Sequence, residues 1–410
     1  MIARLDDTCR PIRQLGLWLG SASLALLWHG TAHSQSLVQP YVEAGYQYDS
    51  NLFALPENIT ILGYPAGTKE SDSTYKVVGG VHSDLHWALQ DLTVDAEGRK
   101  FDYDNHTYLN HYEWLLSGKY SWVATSFLDG KLAVREEKLL EPFTQQVSTV
   151  IGLETDKSAD ASVRIGLQPR WHLDLEVKPH ELAAPQPNLP DFRLRETTST
   201  VTLDWQVVSK LTVGADANYV QGGYYGGPTT LPYRENSQDL TLKYVATGLS
   251  TLNAAFGRSA FDTPTAQGGN TSASTGTVGY TRNLTGKTSI TIQFTRALDT
   301  YIAAGNSSLD TSGLITVDWS ATRKISVALT GSETHSQFAG KPVVAVYPVG
   351  LKDHYFTGEL NLTYQATTWL SAQLFGQYQN RTANSPFFTF NDKTIGFQLR
   401  TQFGVPVGGQ

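Results

Sequence analysis

The sequence is poor in sulfur and in charge. Its 410 residues hold one cysteine, Cys9, and one methionine, the first residue. A single cysteine excludes a disulfide scaffold and a cysteine-built zinc site. Charged residues make up 17% of the chain, against about a quarter in ordinary soluble domains. Lysine and arginine number 31 against 38 aspartates and glutamates, a net charge of −7. That balance leaves no basic footprint for nucleic acid. The mean hydropathy of −0.26 excludes a bundle of transmembrane helices. It leaves open a membrane barrel, whose alternating strands average out as polar. What the chain has in quantity is glycine (36), tyrosine (20) and tryptophan (9).

Residues 1–34 read as an export signal. Arg4, Arg10 and Arg13 precede an apolar stretch from Leu15 to Trp28, and Ala32-His33-Ser34 offers small residues for cleavage. The stretch is too short to span a bilayer as a helix and suits a signal-peptide core. Cys9 belongs to this segment.

From there one pattern recurs: an alternating strand, an aromatic residue, a short polar turn, and another alternating strand. Val201–Val213 centres on Trp205, Ile315–Val327 on Trp319 and Leu360–Ala372 on Tyr364, with further copies through Tyr244 and Tyr280. The turns fall near residues 87, 122, 169, 207, 247, 284, 321 and 367. Period-two alternation gives each strand one apolar and one polar face. The connections on the other side are long and rich in turn formers, namely 49–72, Pro179–Pro190, Gln221–Pro228, Thr263–Asn270 and 336–352. An opening strand at Tyr41–Tyr48, eight hairpins and a closing strand at Lys393–Phe403 make 18 strands. The stretch Gln145–Glu154 also alternates but breaks this parity, so it is assigned to an outer extension.

The expected fold is therefore all-β: a transmembrane, antiparallel up-and-down barrel with short periplasmic turns and long extracellular loops. It occupies residues 35–403, followed by a short tail, 404–410. Trp205, Tyr244, Tyr280, Trp319 and Tyr364 each precede a tight turn in phase with apolar neighbours. That is the position of an interfacial aromatic girdle.

Phasing each strand assigns a lumen lining. The first strands supply Asp91, Asp95, Glu97 and Arg99, then Glu113 and Lys119, then Asp129, Lys131 and Arg135. Arg164, Asp174, Glu176 and Lys178 follow, then Asp204, Asp216, Asn218 and Lys243. Asp318, Glu359, Asn361, Gln373 and Arg400 complete it. Both signs occur, with a mild acidic excess. A conduit for a strongly anionic polymer should instead be lined with Arg and Lys, so the expected cargo is neutral or weakly charged.

Tyr224, Tyr225, Tyr233, Phe387, Phe388 and Phe390 stand among Gly, Asn and Pro. These loop aromatics are candidates for stacking on sugar rings. No phosphate-binding loop, HExxH or GxSxG motif occurs beyond the signal segment. His82 and His86 share a strand face but lie about 13 Å apart, too far for one metal. No catalytic, cofactor-binding or metal-ligating set is read from the sequence.

The opening Tyr41–Pro56, with Asp49-Ser-Asn51-Leu-Phe53 after its first strand, resembles the EpsL-type outer-membrane proteins encoded with exopolysaccharide biosynthesis genes. The likeness in layout extends over the chain beyond the signal. It implies a passive route for exopolysaccharide through the outer membrane of a Gram-negative bacterium. It also implies separate periplasmic and inner-membrane export partners, besides the barrel-assembly machinery and the outer-membrane lipid. The family commonly carries a basic residue shortly after the Phe; Ala54 stands here, so no ligand role is carried over. A general or sugar-uptake porin and a structural or adhesive surface protein are the alternatives. A barrel enzyme is the remaining rival. A loop from 49–72 or 136–155 folding inward would act as a constriction.

Overall fold

A computed structural model of the chain describes residues 37–143, 149–184, 192–225, 231–263, 270–301, 306–339 and 350–404. The expected signal segment, residues 145–148 of the outer extension and the tail beyond Gly404 lie outside these residues.

The first nine strands are β1 (Leu37–Asp49), β2 (Asp72–Trp87), β3 (Gln90–Tyr103), β4 (His111–Thr125), β5 (Leu128–Leu140), β6 (Leu153–Gln168), β7 (Trp171–Ala184), β8 (Phe192–Val208) and β9 (Leu211–Tyr225). The next five are β10 (Leu231–Thr247), β11 (Ser250–Asp262), β12 (Thr271–Thr285), β13 (Thr288–Tyr301) and β14 (Asn306–Trp319). The last four are β15 (Ile325–Ala339), β16 (Lys352–Gln365), β17 (Leu370–Ala383) and β18 (Phe390–Gln402). Each pairs antiparallel with its neighbours in sequence, and β1 closes on β18, with Tyr41 opposite Gln402 and Asp49 opposite Thr394. The result is one closed 18-stranded sheet, as the alternation predicts. Closure removes the free edges that an open sheet would expose.

Phase is inherited from strand to strand because directly opposed residues share a face. Val38, Val42 and Tyr46 of β1 are exposed while Tyr41 and Glu43 between them are buried. The exposed apolar side chains of the other strands, such as Leu203, Leu240, Phe294 and Leu360, carry the same phase around the sheet. That face is the outside. Its aromatics form two belts. Near the short turns stand Trp87, Trp205, Tyr244, Trp319 and Tyr364, with Trp171 and Trp205 stacked at 5.6 Å. Towards the long loops stand Tyr46, Tyr75, Phe356 and Tyr378, paired at 5.3 and 6.2 Å.

The strands are 13 to 17 residues long, more than the ~9–11 that cross the hydrocarbon. The surplus lies on the long-loop side, where the outward face turns polar. Lys100–Asp102, Lys157–Glu136 and Arg195–Glu181 form ion pairs there at 2.6, 2.7 and 3.1 Å.

Four boundaries differ from the sequence reading. The second short turn falls at 126–127 rather than 122, because Trp122-Val-Ala-Thr continues the ladder to a register shift between Val123 and Thr125. Pro179 stands inside β7 rather than opening a loop, and the β6–β7 ladder is interrupted at Ala159 and Asp160 beside it; proline has no N–H to donate. Residues 221–225 extend β9, and 336–339 extend β15. Gln145–Glu154 contributes no extra strand among its described residues; Leu153 and Glu154 begin β6.

Candidate functional site

The register sets every charged or amide residue named above for the lumen on the inward face. Asp95 lies opposite His82 and Ser117, and Glu97 lies opposite Gly80 and Leu115. Asp91 lies opposite His86 and Ser121, Arg99 opposite Glu113, and Lys119 opposite Ala133. Asp129 faces Arg164, which faces Asp174, while Lys131 and Arg135 face Ser162 and Ser158. Glu176 and Lys178 share β7's inward phase with Asp174. Asp204 lies opposite His172, Asn218 opposite Thr200, Asp216 opposite Asp239, and Lys243 opposite Thr212. Asp318 lies opposite Ser289, Glu359 opposite Thr330, Gln373 opposite Gln398, and Arg400 opposite Glu43.

Two stretches of the wall contrast. From β1 to β7 every inward Lys and Arg except Lys119 is matched to an acid. Lys76 meets Glu43 at 2.6 Å, with both side chains largely buried. Arg99 donates to Glu113 and lies 3.8 Å from Glu97. Arg164 grips Asp174 with two hydrogen bonds of 2.7 and 3.3 Å. Arg135 does the same with Glu137, at 3.3 and 2.8 Å. Lys131 pairs with Asp160, and Lys178 with Glu176. Bidentate geometry fixes a guanidinium against its carboxylate and removes it as a free anion site. Tyr41 crosses two strands in this sector. Its ring lies over Gly80, where a Cβ would come within 2.4 Å of it. Its hydroxyl donates to Glu97, and the Arg400 guanidinium sits 3.8 Å from its ring centre.

From β11 to β16 the described inward face carries neither Lys nor Arg. Hydroxyl and amide groups dominate there and bond one another across strands. Thr277 donates to Thr295, and Thr281 meets Thr291, both at 3.2 Å. At the β16–β18 end Gln373 donates to Asn361 at 2.8 Å and Gln377 to Glu359 at 2.6 Å. Ser312, Thr330, Ser332, Thr334 and Thr357 add to the same surface. The sequence reading places Asp318, Glu359 and Asn361 here but misses the hydroxyls around them, because it weighs charge and amides; alternating Thr and Ser is the signal available.

At the outer mouth the first loop, residues 50–71, is folded down rather than free. Asn51 is its pin. The Asn51 backbone N–H donates to Asp49 and Asp392 at 2.8 and 2.9 Å. Its side-chain amide donates to the carbonyls of Leu55 and Asn391, both at 3.1 Å, and its Oδ1 accepts from Leu55 N–H at 3.0 Å. Ala54 turns the chain in the left-handed region, φ 49°. Phe53 is thereby buried edge-on against Phe143 and His106, each at 4.9 Å between ring centres. Leu55, Leu109 and inward-facing Tyr103 join the same cluster. Asp49, Asn51 and Phe53 of the sequence motif thus act together in shaping the mouth.

The aromatics expected on loops sit differently. Tyr224, Tyr225 and Tyr233 stand on β9 and β10, because Gly222 and Gly223 continue the ladder instead of breaking it. Tyr224 and Tyr233 are buried with Leu182, Leu194 and Phe261 on the inward face; Tyr225 points outward and is exposed. Tyr233 also donates to Glu196. Phe387 and Phe388 lie on a short 3-10 turn, Pro386–Phe388, between β17 and β18. Phe388 is buried under the Arg381 guanidinium, 5.0 Å from its ring centre, and Phe390 is buried at the start of β18. Phe387 remains exposed. Burial withdraws four of the six aromatics (Tyr224, Tyr233, Phe388 and Phe390) from direct stacking on a passing sugar.

A scan of family models and a search of curated proteins returned no match. Among solved structures the chain is similar to the siderophore receptor PirA from Acinetobacter baumannii, at 9% identity and a TM-score of 0.48, covering 88% of this chain and 80% of that one. It is also similar to the copper transporter OprC, at 12% identity and a TM-score of 0.48, covering 85% and 62%. A third is OccK5 (OpdH) of Pseudomonas aeruginosa, at 9% identity and a TM-score of 0.45, covering 90% and 98%.

Proposed function

We propose that this barrel is an outer-membrane pore through which a neutral or weakly charged exopolysaccharide leaves the cell. The reading begins from size: barrels of 16–18 strands enclose an aqueous channel rather than a filled core. The observation that carries it is the makeup of the wall. Apart from Lys119, its inward Lys and Arg side chains on β1–β7 are held against carboxylates, and β11–β16 present hydroxyls, amides and a few acids. Such a wall offers hydrogen bonds that a sugar polymer can exchange one for another as it moves, and no ladder of free positive charge to hold an anion. The resemblance of Asp49–Phe53 to the EpsL-type proteins supports polysaccharide as the cargo. A passive pore draws its driving force from synthesis elsewhere, hence from separate periplasmic and inner-membrane partners.

Deleting the gene and measuring secreted polysaccharide tests the direction of transport. Loss of secretion with synthesis intact is the expected result; unchanged secretion rejects export and leaves the sugar-uptake porin. Reversal potentials across a planar bilayer test the cargo's charge. Cation preference is expected, and anion preference would overturn the neutral-cargo reading.

A further inference from the structure

On the outer surface, one step beyond the upper aromatic belt, β15 and β16 bring two histidines and a glutamate together. His335 and His354 are directly opposed in the ladder, and Glu333 lies opposite Phe356 of the belt. The two imidazoles stack with ring centres 4.3 Å apart and planes 4° from parallel. Both Nε2 atoms converge on the same carboxylate oxygen: Glu333 Oε1 is 2.7 Å from His354 Nε2 and 3.2 Å from His335 Nε2. The ligating atoms of all three residues lie within 4.8 Å of one another. Nδ1 of His354 faces the Thr382 hydroxyl of β17 at 3.5 Å, so Nε2 is the nitrogen left for the shared centre.

We infer that Glu333, His335 and His354 form a surface site for a borderline divalent transition cation of the Zn2+, Ni2+ or Cu2+ class. Two imidazoles and one carboxylate are the donors such ions prefer, whereas Ca2+ and Mg2+ favour all-oxygen sets. Zinc bonds of ~2.0–2.1 Å in a tetrahedron place ligands about 3.3 Å apart. Two of the three existing separations, 2.7 and 3.2 Å, are near that value and the third is within 4.8 Å; an ion would require the stacked rings to rotate out of parallel. The ladder supplies the preorganisation: cross-strand pairing fixes His335 against His354, and Glu333, two residues away on the same face, closes the third corner. Three protein ligands leave a coordination position open towards the solvent side. The sequence hides the set because eighteen residues lie between His335 and His354 and only the β15–β16 register unites them. The site lies outside the lumen and is independent of the export reading.

The full barrel, purified in detergent without a polyhistidine tag, is titrated with Co2+ by visible absorption and with Zn2+ by calorimetry, with Mg2+ as control. One saturable equivalent is expected, with d–d bands of low-symmetry cobalt and no competition from excess Mg2+. His335→Ala and His354→Ala should each weaken binding by more than the roughly 10–100-fold lost when an outer-shell partner is removed. Glu333→Gln, which keeps a hydrogen-bond acceptor at the centre, serves if either histidine variant misfolds, and should weaken binding at least tenfold or so by the same comparison. Absence of saturable binding in the unaltered barrel overturns the site. So does binding of unchanged affinity in a folded variant, which would assign the ion to another part of the barrel.

Discussion

The Asn51 side-chain amide donates to the carbonyl of Asn391, 3.1 Å away, and so ties the first outer loop to the start of the last strand. Around it Ser50 donates to the Asp392 carboxylate at 2.9 Å, and the Lys393 N–H donates back to the Ser50 hydroxyl at 2.8 Å. The clasp spans the seam between β1 and β18.

Asn51→Ala removes the side-chain partners of two carbonyls and one N–H in a place with 2% residual exposure. Leaving such groups unsatisfied costs about 1–3 kcal/mol. The unfolding midpoint of the refolded barrel in denaturant should fall accordingly. Asn51→Asp should fare no better, since it sets a third carboxylate beside Asp49 and Asp392.

Phe53→Ala opens the cluster that joins the first loop to Phe143 and His106. Truncating a buried phenylalanine costs on the order of 3–5 kcal/mol, here confined to the mouth because the barrel ladder is untouched. Single-channel conductance and liposome-swelling rates for oligosaccharides should rise. A channel indifferent to the substitution would show that this loop does not narrow the path.

Glu113→Gln leaves Arg99 with Glu97 at 3.8 Å as its remaining acid. Removing one member of a largely buried pair costs on the order of 3 kcal/mol, and the lumen gains one positive charge. The reversal potential in a salt gradient should move towards anions. Reversing the pair, Arg99→Glu with Glu113→Arg, should restore the original value.

Trp205→Ala removes an outward ring stacked on Trp171 at the short-turn belt. Aromatic pairs contribute about 0.5–1.5 kcal/mol beyond their buried area. The folded fraction recovered in lipid vesicles should drop, while conductance of the molecules that do insert stays unchanged.

The strand count, the closing pair and all but the second short turn were legible because alternation is a local signal that survives in every strand. Local signals also misled. Gly222-Gly223 reads as a break, yet a closed ladder with neighbours on both sides holds glycine extended, so Tyr224 and Tyr233 stand on strands. Pro179 reads as the start of a loop, but β7 absorbs it at the cost of ladder bonds to β6. The lumen phase could be read wherever a charge marked it. The hydroxyl groups of β11–β16, marked by few charges, could not be weighed. Whatever depended on register between distant segments was out of reach: Asn51 with Asn391, Tyr41 with Arg400, and the His335–His354 pair.

The clasp also bears on how the barrel is assembled. All eighteen strands are antiparallel, of similar length and similarly patterned, so β1 could add to many edges with comparable backbone bonding. Ser50 and Asn51 reach across the seam to Asn391, Asp392 and Lys393 of β18. These bonds form only when the first strand meets the last one, so they favour the full ring energetically over a prematurely closed, smaller one.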